Sequence, residues 1–166
     1  GVAEQGQALM FSEEWLRAYQ AKRACATVRN RAELSYARLP DMIRFDLPPL
    51  PTLNVLMRMH WATRRTAERK IGRMVAGLTF DLPTGAPPYE KARITIIRHA
   101  VRDVDPDGLP AISKLLLDVL QPRSKWHPCG LGIIAGDDPE HLDLIVNQQR
   151  CKRADARTAV LIERIQ

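Results

Sequence analysis

The segment from residue 92 to residue 120 constrains the fold of this chain most strongly. Residues 92–101 are rich in β-branched side chains, which favour a central strand of a sheet. Further along, apolar side chains follow the i, i+3, i+4, i+7 and i+8 pattern of one helical face, and Pro110 suits the first turn. These side chains are Ile112, Leu115, Leu116, Val119 and Leu120. A strand followed by an amphipathic helix is therefore the predicted centre of the fold.

The other apolar patterns complete a small domain around this unit. Ile43 and Phe45 alternate with polar neighbours before a proline-rich stretch, which predicts an edge strand. An amphipathic helix is predicted over residues 61–80, and two further strands are predicted around 142–148 and 158–165. The order strand, helix, strand, helix, strand, strand predicts an α/β (α+β) fold with a small mixed β-sheet and two main helices.

The chain is expected to divide into two regions. Residues 1–40 lack a strong apolar stripe and are predicted to form an N-terminal extension, with a short helix capped by Ser12. Trp15 and Tyr19 lie one turn apart and could dock on another surface, or the region could be a partly ordered tail. Residues 41–166 are predicted to form the globular domain.

Charge is distributed unevenly along the chain. Eight of the 19 acidic residues lie between Asp103 and Asp143, and this window has a net charge of −5. The rest of the chain carries +11, which gives the overall +6. The predicted helix over 61–80 concentrates cations against a single acid, Glu68, and these cations are predicted to bind DNA phosphates: Arg64, Arg65, Arg69, Lys70 and Arg73. A basic body around clustered carboxylates is typical of metal-dependent nucleases.

Two carboxylates follow the central strand closely. Asp105 and Asp107 flank Pro106, which biases Asp105 toward an extended conformation. In an extended chain these two side chains would point to the same side and could converge on one hard cation. Asp103 shares their parity and could join them or be solvated. The alternative interpretation is an ordinary Asp-Pro-Asp-Gly turn.

The helix that follows adds a lysine and a further acid. Lys114 and Asp118 lie one turn apart, on the face opposite the leucines. Such pairs are commonly solvated salt bridges, but this helix begins soon after the aspartates, so Lys114 could point toward a bound phosphate. Asp137 and Asp138 follow Gly136 in a predicted turn before the next strand.

Three motifs together resemble one known family. They are DPDGL from Asp105, KLLLDVL from Lys114 and GDD from Gly136. They resemble the RusA family of Holliday-junction resolvases, whose pattern is Asp-x-Asp-Asn-Leu, then a Lys-x-x-x-Asp-x-Leu helix, then Asp-Asp before a strand. The resemblance covers about residues 42–166. Gly108 departs from it, because it stands where the family has Asn.

The resemblance implies an activity and a set of site residues. Asp105, Asp107 and Asp138 would be catalytic acids that bind Mg²⁺ or Mn²⁺, Lys114 would be the catalytic lysine, and Asp118 would be an additional acid of the site. The implied substrate is branched DNA, above all four-way junctions. Because two symmetric cuts require two acid clusters, a homodimer is also expected.

Other functional sites find less support in the sequence. His127, Cys129 and Cys151 are possible zinc ligands, but a fourth ligand at a suitable spacing is missing. Trp126 and His127 lie in the connection over residues 121–135 and could contact DNA or pack on the domain. Three scattered cysteines, and no visible signal peptide or run of about 20 apolar residues, predict a cytoplasmic protein without a membrane partner.

Three hypotheses follow from these observations. The first is a Mg²⁺-dependent endodeoxyribonuclease that resolves Holliday junctions and other branched DNA by paired nicks. The second is a catalytically degenerate DNA-binding module on the same fold. The third is a protein-interaction role that depends mainly on residues 1–40.

Overall fold

A four-stranded mixed sheet forms the centre of the computed structural model, which describes residues 38–165. The strands are β1 (Met42–Leu47), β2 (Ala92–Ala100), β3 (Leu142–Arg150) and β4 (Arg157–Arg164). Their order in the sheet is β1-β4-β2-β3. β2 is parallel to β3 and antiparallel to β4, and β4 is antiparallel to β1. The predicted edge strand and the predicted central strand are therefore both confirmed.

Within residues 38–165, three α-helices accompany the sheet. They are α1 (Leu53–Arg58), α2 (Trp61–Leu78) and α3 (Lys114–Leu120). α2 approaches α3 closely at Gly72, where an added Cβ would lie 3.8 Å from Val119 Cγ2. The small α+β fold is thus as predicted from the sequence. Among residues 38–165, no helix has both the length and the apolar character needed to cross a membrane.

The core lies between the helices and one face of the sheet. Alternate residues of β2, Ala92, Ile94 and Ile96, are buried, as the two-residue period of a strand requires. They belong to one cluster with the buried side chains of β1, β4, α2 and α3. This alternation fixes the register of the sheet, because a shift by one residue would turn every apolar side chain away from the helices.

The path into α3 differs from the prediction. The expected single helix is divided, because a 3-10 helix over Pro110–Ser113 precedes α3, which begins only at Lys114. A further 3-10 helix covers Pro106–Gly108. Each of these turns begins with a proline, a residue suited to the first position of a helical turn. α1 was not predicted, because its six residues bury only Leu56 and so show no helical stripe.

The described chain begins inside the packed domain. Leu39 is buried in the core, and its carbonyl oxygen accepts a hydrogen bond from Arg164 at 3.2 Å. The hydroxyl of the buried Tyr89 donates to the Pro40 carbonyl. Packing therefore extends at least to Leu39. The predicted short helix that begins at Ser12, with Trp15 and Tyr19, lies outside the described residues.

We predict that Leu116→Ala lowers the free energy of unfolding by about 2–5 kcal/mol, because Leu116 is fully buried and its loss leaves a cavity. Urea denaturation of the wild type and the variant measures this change. Met57→Ala on α1 is the matched control, since Met57 is 77% exposed and its truncation should cost less than about 0.5 kcal/mol. Equal losses in the two variants would contradict the described packing of α3.

Candidate active site

The outward face of α3 holds an ammonium group between two carboxylates. Five of the seven residues of α3 are buried, and only Lys114 and Asp118 are not. Lys114 Nζ lies 3.0 Å from Asp118 Oδ1 and 3.6 Å from Asp137 Oδ2. Asp118 is on the same helix, whereas Asp137 comes from the turn before β3. The predicted one-turn pair is confirmed, and Asp137 joins it across the fold.

The protonation state of Lys114 follows from these contacts. Partial burial of the side chain lowers its pKa, but the hydrogen bond and charge of Asp118, together with those of Asp137, outweigh the burial. The pKa of Lys114 is therefore raised above its ordinary value. The stabilisation of the fold by the Lys114 charge is fully present below the unfolded-state pKa of Lys114. It is lost only as the pH rises through the folded-state pKa of this side chain. Lys114 consequently carries a fixed positive charge at neutral pH.

A histidine lies next to the cluster formed by Lys114, Asp118 and Asp137. His127 Nδ1 is 3.8 Å from Asp118 Oδ1, and within residues 38–165 this buried ring nitrogen has no hydrogen-bond partner. His127 comes from the connection between α3 and β3, nine positions after Asp118 in the chain. No residue spacing predicts this approach, because it depends on the path of the long connection that follows α3.

Asp105 and Asp107 occupy a turn and not an extended strand end. Asp105 is extended, with ψ 142°, as Pro106 predicts, but Asp107 lies within the 3-10 helix Pro106–Gly108. β2 has already ended at Ala100. The two carboxylates are therefore not related by strand parity. The Asp-Pro-Asp-Gly turn, given as the alternative interpretation, describes the backbone here.

Asp105 and Asp107 nevertheless differ from the aspartates around them. Both are exposed, and neither takes part in any ion pair among the described residues. By contrast Asp103, the third aspartate of this segment, is paired with Arg150 at 2.7 Å. The next residue, Val104, is held to Gln148 by two hydrogen bonds of 2.8 and 2.9 Å. The segment is thus anchored to β3 up to Val104, and the next two carboxylates have free oxygens.

Gly108, the departure from the family motif, has a packing role. It is buried, and an added Cβ would lie 3.3 Å from Val104 Cγ1 and 3.8 Å from Leu53 Cβ. A side chain at this position would press on the segment that carries the two free carboxylates. The glycine therefore lets the 3-10 turn lie against α1.

The carboxylate of Asp138 forms its hydrogen bonds within its own turn. Its Oδ1 accepts hydrogen bonds from the backbone amides of Glu140, at 2.9 Å, and His141, at 3.2 Å. His141 Nδ1 lies 2.8 Å from both carboxylate oxygens. The histidine hydrogen bond is the main reason that the pKa of Asp138 is lowered. Of the two adjacent aspartates, it is Asp137 that approaches Lys114.

The predicted set of three metal ligands is not seen as one group. Within residues 38–165, no three His, Cys, Asp or Glu side chains are arranged to hold a metal ion. Asp103 and Val104 contact the C-terminal end of β3, whereas Asp138 lies just before its N-terminal end. Mg²⁺ commonly uses only one or two protein carboxylates, with water and substrate oxygens as its other ligands. Asp105 and Asp107 are exposed and without an ion-pair partner among residues 38–165.

The hypothesis of a zinc site at His127, Cys129 and Cys151 gains no support from the described residues. Cys129 and Cys151 are free thiols, and neither forms a metal group with His127 in the described chain. Cys129 instead packs against α2, where its Cβ would lie 3.3 Å from a Cβ added at Gly72.

The predicted basic surface of α2 is exposed. All five predicted DNA-binding cations are exposed, and none is in an ion pair with another described residue: Arg64, Arg65, Arg69, Lys70 and Arg73. Arg65, Arg69 and Arg73 follow one another at i, i+4 and i+8 and so form a stripe about 12 Å long. Ile71 and Val75, on another side of the helix, are buried. α2 therefore presents free positive charge while it packs on α3.

No model of a known protein family matches the chain, and no curated protein matches it.

We predict that His141→Ala raises the pKa of Asp138, because it removes the hydrogen bond that lowers it. A lowered pKa means that the Asp138 charge stabilises the fold above its unfolded-state pKa and loses this effect as the pH falls through the folded-state pKa. The variant should therefore lose less stability than the wild type on acidification. Titration of the Asp138 carboxyl carbon by NMR measures the pKa. The control is His127→Ala, which alters the contact with Asp118 and should leave the pKa of Asp138 unchanged. An equal rise of the Asp138 pKa in both variants would show that His141 is not the cause of its lowered value.

Proposed function

We propose that this chain is a divalent-metal-dependent endodeoxyribonuclease that cuts four-way junctions and other branched DNA. The observation that carries the proposal is the pair of free, exposed carboxylates at Asp105 and Asp107, in a segment whose preceding aspartate is ion-paired. Carboxylates without a protein partner keep their oxygens available for a hard cation. The resemblance of the three motifs to RusA resolvases supports the same function.

Asp105 and Asp107 are the residues that would hold Mg²⁺ or Mn²⁺ in this proposal. A bound divalent ion supplies an activated water molecule and stabilises negative charge on the scissile phosphate. Asp138 has a different role here from the one that the family motif implies. Its carboxylate is already engaged by His141 and two backbone amides, so it orders the turn that carries Asp137.

Lys114 provides the positive charge of the proposed site. It remains protonated because Asp118 and Asp137 raise its pKa. Its side chain is still 48% exposed, so the ammonium group is open to an approaching phosphate. A positioned charge of this kind stabilises negative charge that develops during phosphodiester cleavage. Asp118 and Asp137 are positioning residues that hold the ammonium group in place.

The exposed cations of α2 supply the affinity for DNA in this proposal. Contacts to phosphates fix the orientation of a protein on the duplex and do not depend on base sequence. The stripe of Arg65, Arg69 and Arg73 has free guanidinium groups for this purpose. Resolution of a four-way junction needs two cuts related by symmetry, so the proposal includes a homodimer with one site in each protomer.

A DNA-binding module without cleavage activity is the second candidate. The observation that favours it is the engagement of Asp138 by His141, which leaves two carboxylates and not three available for a metal ion. The basic surface of α2 would then account for the whole function. The protein-interaction hypothesis rests on residues 1–40, most of which lie outside the described part of the chain.

We predict that Asp107→Asn abolishes cleavage of a synthetic four-way junction in Mg²⁺ and leaves junction binding equal or tighter. The change keeps the side-chain shape but removes a metal-binding charge, and fewer negative charges cannot weaken the attraction of phosphate. Gel assays of cleavage in Mg²⁺, and of binding in EDTA, where no cation links the carboxylates to phosphate, measure the two properties separately.

Asp103→Asn is the matched control for this experiment. It removes the same charge from the same segment, but from a carboxylate that is paired with Arg150 at the surface. It should cut at nearly the wild-type rate. Wild-type protein that binds junctions without cutting them would favour the second candidate, and equal activity of Asp107→Asn and the wild type would remove Asp107 from the site.

A further inference from the structure

The connection between α3 and β3 presents a tryptophan to solvent beside the candidate site. Trp126 is 80% exposed, whereas its neighbour His127 is only 25% exposed and approaches Asp118. His127 is thus turned toward the cluster of Lys114, Asp118 and Asp137, whereas the preceding ring, Trp126, is turned outward. The open possibility that Trp126 packs on the domain is excluded by its exposure.

The position of Trp126 is fixed by a tight turn. Ser124 Oγ accepts hydrogen bonds from the backbone amides of Trp126, at 3.2 Å, and His127, at 3.0 Å. The Ser124 amide donates to the His127 carbonyl at 3.1 Å, and the Gly130 amide donates to the same carbonyl at 3.0 Å. A Cβ at Gly130 would lie 2.5 Å from the Gln121 carbonyl oxygen, so the two sides of the turn are in backbone contact. The backbone at Trp126 is therefore already ordered before binding, and only the rotamers of the ring are lost when it stacks.

The surroundings of Trp126 are cationic. Arg123 and Lys125 are exposed on the same turn, and residues 121–130 contain no acid. Lys125 Nζ lies 5.8 Å from the centre of the indole ring. Within residues 121–130, Trp126 is the only exposed large apolar side chain, whereas a surface that binds an apolar protein partner combines several. An aromatic ring flanked by cations is typical of proteins that stack on nucleobases while they neutralise phosphates.

We propose that Trp126 stacks on an unpaired or unstacked base at the branch point of DNA. The proposal rests on the proposed function, because the stacked base would lie near Lys114. His127, the neighbour of Trp126, lies 3.8 Å from Asp118, and Asp118 lies 3.0 Å from the Lys114 ammonium group. Bases at a junction lose part of their stacking, so insertion of a ring costs less there than in continuous duplex. Trp126 would therefore select branched DNA over duplex DNA, which the phosphate contacts of α2 do not distinguish.

Binding of a four-way junction and of a linear duplex, both in Ca²⁺, tests this proposal. Trp126→Ala should weaken junction binding about five- to hundredfold, which corresponds to the loss of one stacked base, and should leave duplex binding nearly unchanged. Trp126→Phe should restore much of the junction affinity, because it retains an aromatic ring. Trp61→Ala removes another tryptophan, 69% exposed at the start of α2, and should leave the junction-to-duplex ratio unchanged.

Fluorescence of 2-aminopurine at the branch point reports the contact directly. It should respond to the wild type and not to Trp126→Ala, whereas the same probe in the middle of an arm should respond to neither. Junction selectivity that survives Trp126→Ala would overturn the proposal. The proposal would also be overturned if Trp126→Ala changed only the oligomeric state of the protein. A wild type that binds junctions through Trp126 but cuts none supports the stacking and refutes the nuclease. A wild type with no preference for junctions refutes the stacking even if it cuts DNA.

Discussion

The burial of α3 in the hydrophobic core is the interaction on which the candidate site depends. Leu115, Leu116, Leu117, Val119 and Leu120 all enter the core, so only the first and fifth residues of this seven-residue helix are left outside. These two positions lie one turn apart on a common face, which brings an ammonium group and a carboxylate within 3.0 Å. The apolar residues thus determine the geometry of the polar ones. A substitution that rotated the helix would expose leucine and move Lys114 away from Asp137, which lies outside the helix.

Among residues 38–165, most of the aspartates near the candidate site are ion-paired, and the two beside Pro106 are not. Asp103, Asp118, Asp137 and Asp143 each have a cationic partner in the described chain, and Asp138 has His141. The exposed cations of α2 and the two carboxylates beside Pro106 have none. The proposed function assigns the α2 cations to a polyanion and the two carboxylates to a divalent cation.

Periodic patterns allowed much of the fold to be predicted. The β-branched run of β2, the amphipathic face of α2 and the leucines of α3 each report burial directly in the sequence, and the Lys114–Asp118 pair follows from helical spacing alone. The approaches of Asp137 and His127 could not be predicted, because both depend on the path of a connection that has no period. The parity argument for Asp107 was wrong for a local reason: a proline-initiated 3-10 turn replaced the extended chain that it assumed.

Mn²⁺ binding followed by NMR tests the central claim, that Asp105 and Asp107 are the metal-binding carboxylates. Paramagnetic Mn²⁺ broadens the amide signals of nearby residues. Substoichiometric Mn²⁺ should broaden those of Asp105 and residues 107–109 before those of Asp138 and residues 140–142. The double substitution Asp105→Asn with Asp107→Asn should abolish this selective broadening and leave the fold intact, since both side chains are exposed. Broadening centred on Asp138 and His141, or broadening that persists in the double variant, would contradict the account.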